Sequence, residues 1–162
     1  MGCDRIVKIF KLYNDLMVKI TLTDTGGIQR FRSLNSKLSK NNDSIILIYS
    51  INDKRSFEEC KEYYKDNIKQ NCKNNTKVIL IGNKIDLEDR REVTTEEGYN
   101  FALENGYLFM EISCLTNDNI YDAFEAIIYE TLLIKMKEEE NKDSNEEKRI
   151  LLKEKNKQCI VF

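Results

Sequence analysis

The sequence predicts an α/β fold with a largely parallel sheet, and three observations carry that reading. Ser44 to Ser50 (S-I-I-L-I-Y-S) and the start of Val78 to Leu87 (V-I-L-I-G-N-K-I-D-L) are unbroken, mostly β-branched apolar runs. Such runs read as strands buried on both faces, which belong to parallel sheets. Strand-like and helix-like stretches alternate along the chain, as layered α/β domains require. The polar group Asn83-Lys84-x-Asp86 follows the second run directly. It therefore sits at the carboxyl end of a strand, where open α/β sheets bind ligands. An amide, an ammonium and a carboxylate grouped there can read one planar polar ligand.

Taken in order, residues 5–13 and 16–23 are strand-like runs around the turn pair Asn14-Asp15. Their apolar residues alternate with Lys and Thr, as on a hairpin near a sheet edge. Residues 28–42 are polar and irregular, predicting a loop and a short helix. Residues 54–71 read as a helix with Phe57, Cys60, Tyr64 and Ile68 on one face. Cys60 and Cys72 are expected to line that helix as small apolar residues. Thr94-x-x-Glu97 is a capping-box signature opening a helix to about Leu103, and Asn105-Gly106 stops it. Tyr107 to Ile112 predicts a short strand. Ile120, Ala123, Phe124, Ile127, Ile128 and Thr131 mark the inner face of a last helix. From about Lys135 to Gln158 the chain is Lys, Glu and Asn with little apolar content. Two readings stand, a disordered linker and a solvated helix extension, with the linker ahead.

At 162 residues the chain is one domain plus a tail, and 41% hydrophobic residues suffice for a core. A net charge of −2 argues against bulk electrostatic binding of nucleic acid. No run approaches the roughly 20 apolar residues of a membrane span, and no secretory signal peptide is read. Five cysteines without a C-x-x-C fit a reducing, cytosolic compartment. No histidine is present, which excludes His-dependent catalysis and His metal ligation.

Two further stretches stand beside Asn83–Asp86: Asp24-Thr25-Gly26-Gly27, and Glu111-Ile112-Ser113-Cys114. With them in register, the chain resembles the Ras-like small GTPases, and the Rab branch most closely. Asp24 to Leu34 (D-T-G-G-I-Q-R-F-R-S-L) is similar to the family's D-T-A-G-Q-E-R-F-R-S-L. Asn83 to Asp86 match its guanine motif, and Glu111 to Thr116 look like its E-T-S-A-K-T. The resemblance runs from about Gly2 to Leu133.

The resemblance implies GTP or GDP as ligand, with Mg2+. Asp86 would accept two hydrogen bonds from guanine, a match able to discriminate by roughly 10⁴-fold or more. Asn83 would brace the base and its loop, and the Lys84 stem would cover one ring face. Backbone N–H groups near Ser113 and Cys114 would bind the guanine oxygen. Cys114 stands for the family's Ala. Leu115 stands for the Lys that covers the other ring face. Asp24 would hold Mg2+ through water, and Gly27 would offer its N–H to the terminal phosphate. Ile28 occupies the position of the Gln that orients the attacking water. It has no polar atom, so no catalytic residue is assigned. The Rab aromatic triad falls on Arg5 (or Ile6), Thr23 and Leu38, none of them aromatic, which puts ordinary Rab effectors in doubt.

Cys159-Ile160-Val161-Phe162 fits C-a-a-X, and a terminal Phe favours geranylgeranyl. This implies a prenyltransferase, and a peripheral place on the cytosolic face of a membrane. Effector and exchange proteins would be further partners. No G-x-x-x-x-G-K-S/T occurs in the 162 residues. In the family that loop cradles the phosphates and supplies a lysine and a Mg2+ ligand. The expectation is a P-loop NTPase-like domain over 1–134 without its first strand, phosphate loop and first helix, then a charged tail over 135–162. The family places its first strand between the runs read here as 16–23 and 44–50. Without it two edges would face each other, either left open or closed into direct pairing. Two functional readings follow. One is a membrane-anchored switch in vesicle trafficking or signalling, truncated and impaired. The other is a nucleotide-free, lipid-anchored binding module.

Overall fold

The computed structural model of the chain describes residues 4–24, 42–69, 72, 73, 75–142 and 158–161. The strands are β1 (Asp4–Lys11), β2 (Met17–Asp24), β3 (Ser44–Ser50), β4 (Lys77–Asn83), β5 (Leu108–Ile112) and β6 (Gln158–Val161). The α-helices are α1 (Lys54–Tyr63), α2 (Thr95–Glu104) and α3 (Ile120–Lys142). Two three-stranded sheets result, ordered β1-β2-β6 and β3-β4-β5. The second is parallel throughout, with β4 at its centre.

Local chemistry accounts for most elements. The β1–β2 hairpin closes at Asn14 and Asp15, where Asp15 takes a left-handed φ of 63°. Asn14 Oδ1 accepts the Leu16 N–H there. Asp53 caps α1 by accepting the Ser56 N–H at 3.2 Å. The Thr94–Glu97 capping box forms in both directions. A π turn over Tyr64–Ile68 continues α1, and the chain stays helical to residue 69, close to the 54–71 helix expected. Cys60 is buried inside α1, whereas Cys72 lies beyond the turn and donates its N–H to Ile68.

Helices cover both faces of β4. On one side Ile79 and Ile81 pack with Ala123, Ile127 and Ile128 of α3, and with Val18 and Ile20 of β2. On the other, Leu80 and Tyr49 pack with Phe57 of α1 and Ala102 of α2. The two sheets thus share one core beneath α3. Each fully buried Ile or Leu contributes roughly 1.5–3 kcal/mol there. The hairpin is clasped to α3 as well. Tyr13 Oη donates to Asp122 at 2.8 Å, and Phe10 stacks on Tyr121 at 4.8 Å between centroids.

Two differences from expectation are non-local in origin. The chain stays helical to Lys142, so the helix-extension reading holds for 135–142 and the linker reading fails there. Lys135 pairs with Asp43, and Glu138 accepts from Asn75, partners that only the fold brings near. The edge of β2 away from β1 is neither open nor closed onto β3. It pairs in parallel with β6, which also lies beside β3 and α3.

Candidate functional site

The site forms where β4 ends. Gly82 is required because a Cβ there would lie 2.9 Å from Tyr49 Oη. The chain then turns at Lys84, an exposed residue at φ 71°, and enters a 3₁₀ turn over Ile85–Arg90. Left-handed backbone is costly for a side chain with a Cβ. Asn83 helps to hold it, because Asn83 Oδ1 accepts the Lys84 N–H at 2.7 Å. The same oxygen accepts the Cys114 N–H at 3.2 Å, tying the loop after β4 to the loop after β5.

The second loop is organised by Ser113, which is fully buried. Its hydroxyl accepts from Leu115 N–H and Thr116 N–H at 3.2 and 3.1 Å, and donates to Asp86 Oδ1 at 2.5 Å. Asp86 itself is exposed. A carboxylate has about four lone-pair sites, so most of its accepting capacity remains. Leu115 stands at the rim, 78% exposed. The structure therefore brings together Asn83, Asp86, Ser113, Cys114 and Leu115, with Lys84 at the turn between the first two.

Residues that sequence reasoning missed lock this arrangement from behind. Arg91 makes a two-point pair with Glu111 at 2.7 and 3.0 Å, and a second with Glu88 at 2.8 and 2.6 Å. Thr95 Oγ1 donates to Glu111 at 3.0 Å, and Asn119 Nδ2 donates to the Glu111 carbonyl at 2.9 Å. The carboxylates of Glu88 and Glu111 raise the Arg91 pKa, and Arg91 in turn lowers that of Glu88. The i,i+3 spacing of Glu88 and Arg91 was the one local signal. The Glu111 pair joins residues twenty apart and had none.

Asp24 is exposed at the end of β2, with no hydrogen bond or ion pair to the cluster among the described residues. Gly27, Ile28 and Leu38 lie outside the described residues. Arg5 stands directly across from Thr23, and Ile6 across from Leu22. Cys159 lies in β6 opposite Ile20. Among the described residues, no helix is long and apolar enough to cross a membrane.

A parallel sheet with an Asn-Lys-x-Asp turn at its central strand, and a serine-anchored loop beside it, has the build of the base-reading end of a small GTPase domain. A profile of the Ras family matches residues 1–133, and the chain belongs to that family. It is 35% identical to GTP-binding protein ypt2 of Schizosaccharomyces pombe, over 90% of this chain and 72% of that protein. It is 38% identical to GTP-binding protein yptV2 of Volvox carteri, over 72% of this chain and 54% of that one. Ras-related protein RabC of Dictyostelium discoideum is 33% identical over 68% of this chain and 56% of its own length. The chain thus spans a little over half the length of the last two.

Proposed function

We propose that this chain is a Rab/Ras-like small GTP-binding protein, a lipid-anchored switch of vesicle trafficking or signalling, whose β3-β4-β5 sheet reads guanine at its carboxyl edge. The observation that carries this is the Asp86 carboxylate, fixed by buried Ser113 beside Asn83. Guanine presents two adjacent N–H donors to such a carboxylate, and adenine presents an acceptor that it repels. Leu115 and the Lys84 stem would flank the ring. Asp24 would hold Mg2+ through water, and Gly27 would meet the terminal phosphate. With Ile28 in place of a water-positioning side chain, hydrolysis would be slow. Residues 1–134 would form the nucleotide domain, and 135–162 a tail geranylgeranylated at Cys159 by a prenyltransferase. That lipid would place the protein on a cytosolic membrane face, where exchange factors and effectors act.

Without a G-x-x-x-x-G-K-S/T in these residues, the base supplies most of the grip. Guanosine, GDP and GTP should then bind this chain with similar affinity, weaker than about 1 µM. Asp86→Asn exchanges one acceptor for a donor, so it should lose guanosine and gain xanthosine. Calorimetry on the 162-residue chain decides: guanosine binding indifferent to Asp86→Asn sinks this reading. One observation favours the nucleotide-free module instead. The Cys114 and Leu115 N–H groups are engaged inside the loop at 3.2 Å and must shift to meet a guanine oxygen. Complete absence of guanosine binding would support that module. The lipid anchor is tested separately: Cys159→Ser should release the protein from the membrane fraction of expressing cells.

A further inference from the structure

One face of the β1–β2 hairpin packs against α3 through Phe10, Val18 and Ile20. The other face carries Val7 across from Thr21, Ile9 across from Lys19, and Lys11 across from Met17. Residues directly opposite in an antiparallel pair point to the same side of the sheet. Val7, Ile9 and Met17 are exposed there, Ile9 to 69%. Apolar residues exposed singly are ordinary, but three that adjoin on one face mark an interaction surface. Charge shows what kind. Arg5, Lys11 and Lys19 are exposed on the same face. From residue 5 to residue 19 the one carboxylate is Asp15, which pairs with Lys11 at 2.6 Å. The chain as a whole carries −2, so this is a basic, apolar face on an acidic protein. Protein interfaces favour aromatic anchors and are poor in Lys, and this face has Lys and no aromatic. An anionic lipid surface fits it better. Aliphatic side chains enter the headgroup boundary, while Lys and Arg lay their stems along them and reach the phosphates.

We propose that the outer face of the β1–β2 hairpin is a second membrane contact, which lies on anionic lipid and acts together with a lipid at Cys159. The inference rests on the lipid-anchor reading of Cys159. One lipid chain gives only reversible binding, and stable attachment takes a second signal. The hairpin supplies that signal from the folded domain. Each cation near an anionic bilayer strengthens binding about 5-fold, and each apolar side chain that enters the boundary adds to it. Two contacts on one molecule also hold the domain in one orientation on the membrane, which a tail alone cannot do.

Co-sedimentation of the unmodified 162-residue chain with vesicles tests the face without the anchor. Phosphatidylcholine vesicles are compared with ones holding roughly 30% phosphatidylserine. Binding should need phosphatidylserine and weaken as salt rises. Ile9→Ser should weaken it about 10-fold and Lys19→Gln about 5-fold. Both positions are exposed, so neither change should move the melting temperature. No binding to the anionic vesicles overturns the proposal. Binding that neither change weakens also overturns it, because the lysines of the tail then carry the attraction. A soluble protein captured by this face and lost on Ile9→Ser, without vesicle binding, reassigns the face to a protein partner. The geranylgeranylated chain separates the two readings. If it binds vesicles and Ile9→Ser makes no difference, the anchor stands and the hairpin contact falls. If Cys159 accepts no lipid while the hairpin changes still weaken vesicle binding, the anchor falls and the hairpin contact stands.

Discussion

The two sheets are held in different ways. The β3-β4-β5 sheet is enclosed by helices on both faces, and its ligand edge is braced by side chains whose partners are all in place. Asn83 fastens two loops, Ser113 fixes Asp86, and Arg91 locks Glu88 to Glu111. The β1-β2-β6 sheet is secured through α3 on one face and through a C-terminal strand on one edge. β1 leaves Ile6, Val7 and Ile9 exposed, and Asp24 stands exposed at the end of β2. On the function proposed above, the contrast follows the chemistry. A planar base is read by groups that must be fixed in advance. A phosphate and its cation bring strong charge of their own and can help to order the groups that meet them.

The sharpest way to break the comparison is to cut one apolar side chain back to alanine in each sheet. Ile79→Ala removes a fully buried side chain from the centre of β4 and should cost about 2–5 kcal/mol in urea unfolding. Val7→Ala, at a position 52% exposed on β1, should stay within about 0.5 kcal/mol. Similar losses at both would mean that the hairpin is as deeply integrated as the central strand.

Next in size is the brace behind the site. Arg91→Met keeps the aliphatic stem and leaves Glu111, 15% exposed, without its cation. A loss of about 1–3 kcal/mol is expected, together with weaker guanosine binding. Unchanged guanosine affinity at reduced stability would show that the base-reading loops hold without Arg91.

How far the fold was legible depends on how local its causes are. β3, β4 and the Thr94 cap could be read because each is written in consecutive residues: an apolar run, or a hydroxyl three places before a glutamate. The hairpin could be read from alternation around Asn14. The length of α3 could not. Residues 135–142 look solvated until Asp43 and Asn75 arrive from elsewhere in the chain. β6 was missed for the same reason, since its partner, β2, lies near the other end of the chain. The Asn83-Lys84-x-Asp86 letters named the site, but not the hydrogen bond from Cys114 to Asn83, which needs the β4–β5 register to exist.

A smaller effect probes why a glycine stands just before the end of β4. Tyr49 Oη is buried without a hydrogen-bond partner, and burial raises its pKa. Gly82→Ala presses a methyl against that oxygen and should cost about 1–3 kcal/mol. Tyr49→Phe removes the oxygen and should be neutral or stabilising. Combined, the two should cost less than the sum of the separate changes. Strict additivity in a double-mutant cycle would place the strain elsewhere, for instance on Glu111, the other near neighbour.

The smallest expected effect lies on the exposed side of α2. Lys54 first, and then the Thr94 backbone N–H, pull the Glu97 pKa from the ordinary 4.5 down to about 2. A carboxylate depressed in the folded state stabilises fully above its unfolded value. That contribution is lost as pH falls from about 4.5 through about 2. Glu97→Gln should therefore lower the melting temperature near neutral pH, and the gap from wild type should close over that acid window. The pair is solvent-exposed, so added salt should shrink the Lys54 part of the difference. What remains at high salt is the stronger hold of a carboxylate than of an amide oxygen on the Thr94 N–H. Melting curves from pH 7 to pH 2 at low and high salt separate the two. A gap between the proteins that stays constant to pH 2 would show that Glu97 acts through packing rather than through its charge.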